Sequence, residues 1–548
     1  MNSFPSQNPG SASEVNEILQ HLKEHPHEVE DWSRVLSFAE HSHGPQSLKI
    51  YDAALKSFPC NPAIQLAYII KATSNGDHRK LEQYFKLCLE KSTPSIELCN
   101  LYLDFVRENR SDILLDSYKD VLDIVGHEVE SCEIWDQYLM LLQQVGKCQA
   151  LRETLHRVVK TPLRNLPEFW ERVTAFEYEH EHEHTDAEEV LEELLTGHVR
   201  ALAVLRDYQL SMELVHPVTT SNSTSLSSLP LSPDSPWGEK LVERWIDYLK
   251  WEEGDPLELQ GNDSVAFMKR LRTAYGKATC KMWFYPEIWD IVYRGWMKMN
   301  HPDEALIQLH RGLSANPTSP LLTFSLASAL EARGDPHSGR EVYEGVLRAL
   351  RNSLDSNGSS FLQEKVSGLR RDLGLAYISY MRFANRTRGM NAVRSVFSSA
   401  QSDAPLTPWV VYEAAAKMEY VHDGDDGLAR ATEIFEAGMA HFRNDSGYIT
   451  CYLEWLISVD DRNNVKILIN TVVDHFPATI GLQLWERWLR YAYLSGDFDY
   501  LLDTEKLVRI YRTELDELQP SLPITRIPTR RIRNRASDDW EEEEFEES

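Results

Sequence analysis

Three histidines stand at alternate positions in the run Glu177-YEHEHEHTDAEE. His180 and His184 are four apart and would share one face of a helix, a spacing that can hold a metal ion. The surrounding glutamates mark a solvated helix end, so neither a metal nor a cofactor is expected there. The other chemistry-bearing residues are as sparse. The sequence has no G-x-x-x-x-G-K-[ST], no G-x-S-x-G and no H-E-x-x-H. Seven cysteines are scattered and never form C-x-x-C, which suits a reducing compartment and excludes a zinc ribbon or a disulfide framework. They fall in apolar helical stretches, as at Cys280, where buried thiols are inert. No catalytic group is expected.

Two short stretches near the end stand out. Arg526, Arg530, Arg531, Arg533 and Arg535 form the only dense basic cluster. They are candidates for a nuclear-import signal or for contact with RNA phosphates. The block Ala536-SDDWEEEEFEES follows, with eight acids in thirteen residues. Such a block repels itself and stays disordered. Trp540 and Phe545 within it are candidates for docking into a basic groove with apolar pockets.

Composition sets the frame for these residues. The chain has 548 residues, 42% hydrophobic and 26% charged, which fits about three domains or one long repeat array. No apolar run approaches the roughly 20 residues needed to span a bilayer. The opening MNSFPSQNPGSASE lacks the pattern of a secretory signal. The formal charge is −28. Nucleic-acid backbones are held by Lys and Arg, so broad RNA binding by this body is disfavoured and protein partners are favoured.

The elements that must position everything else are repeats. Trp135 and Trp170 are 35 residues apart, and equivalent slots upstream fall at Cys99, Gln65 and Trp32. A second series runs Trp289 to Phe324, then Tyr377, Tyr412, Tyr448 and Trp485. A period near 35 predicts stacked helical hairpins. The first helix of each carries the aromatic slot. A break follows, as at Asn75-Gly76-Asp77, Gly254-Asp255-Pro256, Gly334-Asp335-Pro336 and Gly496-Asp497, where Gly supplies the left-handed conformation and Pro stops the helix. The second helix is amphipathic, as in Leu48, Tyr51, Leu55 and Phe58. It often ends at a proline, as at Pro59, Pro162, Pro317 and Pro477. One hairpin cannot bury its apolar face, so stacked neighbours bury it jointly.

The expected fold is therefore an all-α solenoid of about 11–12 half-a-TPR hairpins in two arrays. Residues 1–28 are a partly disordered N-terminal segment. Residues 29–215 and 239–515 form the arrays. The Ser/Pro-rich stretch 216–238 joins them as a flexible linker, because its composition cannot bury enough apolar surface. A polar insert at Asn352–Ser360 stretches one repeat. Residues 516–548 form a disordered tail, basic and then acidic.

Several blocks carry a closer likeness. The stretch Trp245-IDYLKWEEGDP-Leu257 resembles the W-x-x-Y-I-x-W-E-x-x-N-P-L run of the suppressor-of-forked family, which holds the large scaffold subunit of cleavage stimulation factor and its yeast counterpart in cleavage factor IA. The likeness continues at Ala274-Tyr275, at Pro286-Glu-Ile-Trp289 and at Tyr377-ISYMRFANRTRG-Met390 with Arg394 and Phe397. Met418-Glu419-Tyr420, Glu433-Ile434-Phe435-Glu436-x-Gly438, Asp461-x-Asn463-Asn464 and Leu484-Trp485-x-Arg487 follow in the family's order.

That resemblance implies a nuclear, non-catalytic scaffold in cleavage and polyadenylation of pre-mRNA 3′ ends. It implies a homodimer formed through the C-terminal repeats, within residues 370–500. It further implies a bound RNA-recognition-motif subunit, a WD-repeat subunit where the organism has one, other polyadenylation factors, and mostly indirect contact with pre-mRNA. The family's C-terminal clasp for its RNA-binding partner has no residue-by-residue match here. Two other readings compete: a repeat scaffold in splicing or ribosome biogenesis, and a peptide-binding TPR-like adaptor. The second needs a basic groove, which the acidic composition disfavours.

Overall fold

A computed structural model describes residues 12–24, 27–42, 45–73, 95–180, 187–215, 229–356, 363–403, 405–495 and 497–518, with positions 82, 84, 85 and 89. Arg526, Arg530, Arg531, Arg533, Arg535, Trp540 and Phe545 lie outside them, as do His182, His184 and the break at residues 75–77. The described residues contain α-helices and short 3-10 turns and no strand.

The first helices are α1 (Ala12–Glu24), α2 (Val29–His41), α3 (Pro45–Ser57), α4 (Pro62–Thr73), α5 (Ile96–Asn109), α6 (Leu114–Val125), α7 (Cys132–Val145), α8 (Cys148–Val158), α9 (Leu166–Glu179) and α10 (Ala187–Val215). Beyond the Ser/Pro-rich stretch come α11 (Gly238–Glu253), α12 (Ser264–Lys281), α13 (Pro286–Lys298), α14 (Pro302–Ala315), α15 (Pro320–Ala332), α16 (Pro336–Ser356) and α17 (Gln363–Arg388). The remainder are α18 (Met390–Ser402), α19 (Val410–Phe442), α20 (Ser446–Ser458), α21 (Arg462–Val472), α22 (Ala478–Ser495) and α23 (Phe498–Leu518). Consecutive helices pack on one another as hairpins, the all-α repeat architecture that the 35-residue period predicts.

Helix starts and stops follow local chemistry. Ser95, Asp263, Ser319, Asp445 and Asp461 each accept a hydrogen bond from an amide in the first turn of the following helix, satisfying donors that have no partner inside it. Four hairpins share one turn. Gly146, Asn300, Gly334 and Asp460 take positive φ, and the next amide donates back to a carbonyl of the last turn: Lys147 to Leu142, His301 to Trp296, Asp335 to Leu330 and Asp461 to Leu456, at 3.0–3.2 Å. Glycine fills two of these positions. Asn and Asp fill the others, because their short polar side chains tolerate the left-handed region. At Gly254-Asp255-Pro256 the left-handed residue is Asp255, with φ 51°, and not the glycine.

The aromatic slots are core. Trp32, Trp135, Trp289, Tyr377, Tyr412, Tyr448 and Trp485 are buried, and so are Gln65 and Cys99 in the same slots. Trp170 and Phe324 are half-buried. Two of these rings reach the preceding loop: Trp135 Nε1 donates to Gly126 O at 2.9 Å and Trp289 Nε1 to Trp283 O at 3.0 Å. Along α3 the deepest residues are Ser47, Ile50, Tyr51, Ala54 and Phe58, a stripe turned slightly from the expected Leu48–Tyr51–Leu55–Phe58.

By contacts the chain divides into two compact units, Met1–Phe383 and Ala384–Ser548. Within the first unit, α1–α4 do not stop at their sequence neighbours. Val15, Ile18, Leu22, Trp32, Ile50 and Phe58 share one core with Trp283, Phe284, Trp289, Leu309 and Leu326. Phe58 meets Trp283 and Phe284 edge-on at 6.2 and 6.0 Å, a favoured aromatic arrangement. The N-terminal segment thus contributes a helix, α1, whose apolar face is buried.

One expectation is corrected. The linker is packed from Leu229 on: Leu229 is buried, the Leu231 amide donates to Lys281 O at 2.9 Å, and Tyr285 Oη donates to Ser232 O at 2.7 Å. Leu229-Pro230-Leu231 is a short apolar motif within a polar stretch, and burial of Leu229 decides its conformation. The polar insert begins as helix, since α16 runs through Asn352 to Ser356 with Leu354 buried.

In the second unit, Phe435, Tyr448, Tyr452, Trp455, Trp485 and Trp488 belong to one aromatic-rich core. Helix α19 bends at Gly424, whose φ is 56°.

Candidate functional site

The most elaborate polar assembly lies inside the first unit, where four separate stretches converge. The turn between α6 and α7 delivers His127 and Glu128. Helix α12 carries Arg270, Thr273 and Lys277, spaced three and four apart on one face. Helix α11 brings Tyr248 and Glu252, four apart, and α10 brings Tyr208. Arg270 holds Glu252 through two hydrogen bonds, Nε to Oε2 at 2.6 Å and Nη2 to Oε1 at 2.9 Å. Tyr248 Oη donates to Glu252 Oε1 at 2.9 Å. Lys277 Nζ pairs with Glu128 Oε2 and lies 3.5 Å from Tyr208 Oη. His127 Nε2 is 2.7 Å from Thr273 Oγ1.

Burial and charge set the protonation states here. Burial pushes the Glu128 carboxyl up, but Lys277, His127 and Arg270 outweigh it and hold the group below the usual carboxylate range. Burial opposes the Lys277 ammonium, and Glu128 more than compensates, so the lysine stays charged. Burial pushes His127 down to about 4, so it is neutral near pH 7. Burial also raises Tyr248 well above its ordinary value. Each charge is met by a neighbour, as burial in a low dielectric requires. The assembly ties α6–α7 to α10–α12.

Similar buried carboxylates recur. Glu177 on α9 accepts from Arg152 and His156 on α8. Glu419 on α19 accepts from Arg394 on α18, Nε to Oε1 at 2.7 Å and Nη2 to Oε2 at 2.8 Å. In both cases the arginine precedes the glutamate by 25 residues, the distance from a second helix to the first helix of the next hairpin. Pairs such as Asp136–Arg172, 36 apart, and Glu454–Arg487, 33 apart, link neighbouring repeats one period away.

Of the three alternating histidines, His180 lies among the described residues. His180 Nδ1 sits 2.9 Å from Phe176 O, and the ring stacks on Phe176 at 4.2 Å. Cys280 Sγ donates to the Cys60 carbonyl at 3.2 Å, joining α12 to the α3–α4 turn. Among the described residues His21, Glu28 and Asp31 bring three ligand-type atoms together, and Arg34 Nη1 already holds Asp31 at 3.1 Å.

Two hollows occur in the first unit. One of 310 Å³ is lined by Arg152, Glu153, His156, Lys160 and Glu193; another of 430 Å³ by His310, Leu313, Pro317, Leu330 and Val342. Both are open at the surface.

The sequence reading missed the polar assembly because its parts are up to 149 residues apart. A signal was present: Arg270 and Lys277 share a face of α12 with Ala274, and buried cations demand carboxylates from elsewhere.

Comparison with known proteins completes the picture. The mRNA 3′-end-processing protein rna14 of Schizosaccharomyces pombe is 24% identical over 541 residues, covering 91% of this chain and 71% of that protein. Cleavage stimulation factor subunit 77 of Arabidopsis thaliana is 24% identical, covering 88% of this chain and 62% of that one. Protein suppressor of forked of Drosophila melanogaster is 23% identical, covering 88% and 67%. The chain thus spans about 62–71% of the length of these relatives. A crystal structure of CstF-77 superposes with a TM-score of 0.56 at 15% identity, covering 84% of this chain and 90% of that one, a likeness of fold. The sequence model of the Suppressor of forked protein family matches residues 13–525, and the chain belongs to that family.

Proposed function

We propose that this chain is a non-catalytic scaffold of the nuclear machinery that cleaves and polyadenylates pre-mRNA 3′ ends. The observation that carries the reading is that relatives named for 3′-end processing and cleavage stimulation align with 88–91% of the chain. The buried polar assembly is consistent with it, since charged groups that brace helices are not available to turn over a substrate.

In this reading the chain dimerises through residues 370–500 and holds an RNA-recognition-motif subunit. It also contacts further polyadenylation factors, including a WD-repeat subunit where one exists, and meets pre-mRNA mostly through these partners. Arg526, Arg530, Arg531, Arg533 and Arg535 would serve nuclear import or touch RNA, and Trp540 and Phe545 would dock a partner.

Affinity purification of the tagged full chain from nuclear extract tests the function. Polyadenylation factors should dominate the recovered proteins. Spliceosomal or pre-ribosomal proteins in their place would refute it. Sedimentation of the full chain tests the dimer, with a monomer at micromolar concentration counting against it.

A further inference from the structure

Helix α10 is apolar on two opposite sides. One side, with Leu194, His198, Ala201, Leu205 and Val215, is buried against its neighbours. The opposite side carries Leu195, Val199, Ala203, Arg206, Leu210 and Leu214 along five turns. Its four large apolar residues each expose 45–56% of their surface. Apolar side chains in line along a water-facing side of a helix are normally covered, so this second stripe calls for a cover.

The spacing of the stripe indicates the cover. The steps from Leu195 to Val199, Ala203, Arg206, Leu210 and Leu214 are four, four, three, four and four. That series reads the same in both directions. An antiparallel second copy of the helix therefore presents the same spacing, placing Leu195 against Leu214, Val199 against Leu210 and Ala203 against Arg206. The small Ala203 leaves room for the arginine stem to lie across it. From there the guanidinium reaches Asp207 of the facing copy. Among the described residues neither Arg206 nor Asp207 has an ion pair of 4 Å or less, so each copy offers both halves of the pair. Self-complementarity about a two-fold axis is what an isologous contact requires.

We infer that α10 is a self-association surface, on which a second copy of this chain docks its own α10 antiparallel. It is separate from the dimer interface proposed within residues 370–500. A single helix pair is at the small end of specific interfaces, so covalent trapping is the suitable test.

Two differently tagged full-length chains are co-expressed in a Cys148→Ser background, which removes the exposed thiol among the described residues. One carries Val199→Cys and the other Leu210→Cys. Mild oxidation should link the two tags in one disulfide-bonded dimer. Val199→Cys alone should not link, because two copies of residue 199 would sit about 16 Å apart, eleven residues at about 1.5 Å each. Adding Arg206→Asp to both chains replaces the attraction to Asp207 of the facing copy by repulsion between acids and should reduce the link at least tenfold, with the thermal melt unchanged. No mixed link, or equal linking by Val199→Cys alone, overturns the proposal. A chain that sediments as a dimer yet gives no mixed link refutes this surface and leaves the other interface standing.

Discussion

Arg270 and Glu252 face each other across α12 and α11 with two hydrogen bonds of 2.6 and 2.9 Å, both side chains almost wholly out of water. Breaking a buried pair from one side strands a charge, whereas removing both partners does not. Arg270→Met alone should destabilise the first unit by about 3–5 kcal/mol. The double change Arg270→Met with Glu252→Leu should recover at least half of that, Tyr248 Oη being left without its acceptor. Urea titration of the three proteins measures both steps.

Stability should fall on mild acidification for a reason located at His127. Its folded value, pushed down to about 4 by burial, lies below the ordinary 6.5 of the unfolded chain. The unfolded state therefore binds the extra proton first. The contribution is complete above pH 6.5 and is lost as pH falls toward 4, at up to about 1.4 kcal/mol per pH unit. His127→Gln should flatten the melting temperature across pH 6.5 to 4.5. A wild-type slope in the variant would contradict this.

Gly438→Ala should destabilise, against the usual helix preference. Alanine ordinarily gains up to about 1 kcal/mol over glycine within a helix. Here an added Cβ would run into Tyr448 Oη. Tyr448 is fully buried and its hydroxyl donates to Phe435 O, so the ring has little room to withdraw. Overpacking of this kind costs about 1–3 kcal/mol, and a thermal melt should show a net loss.

Cutting the chain at the Ser/Pro-rich stretch should not separate it. A protease site placed between residues 220 and 226 would leave Phe58 against Trp283 and Glu128 paired with Lys277. The two fragments should co-elute in size-exclusion chromatography. Elution as two separate species would show that these contacts do not hold the first unit together.

Deletion of residues 536–548, or Trp540→Ala with Phe545→Ala, should weaken capture of at least one processing-factor partner. Unchanged pull-downs would assign the acidic end to solubility alone.

The repeat was legible in the sequence because its cause is local. An aromatic every 35 residues, a turn residue and a capped amphipathic helix each act within one hairpin. Trp135, Tyr412 and Tyr448 accordingly lie where the period puts them. The likeness of residues 245–257 and 377–390 to one family was legible for the same reason, as linear motifs. What only the tertiary structure decided are the meetings of residues far apart in the chain. Phe58 packs on Trp283, Glu128 finds Lys277, Leu229 is buried, and one face of α10 is left open. Periodicity specifies which side of a helix is apolar. It does not specify which distant surface covers that side, because that depends on the summed angles of every hairpin in between.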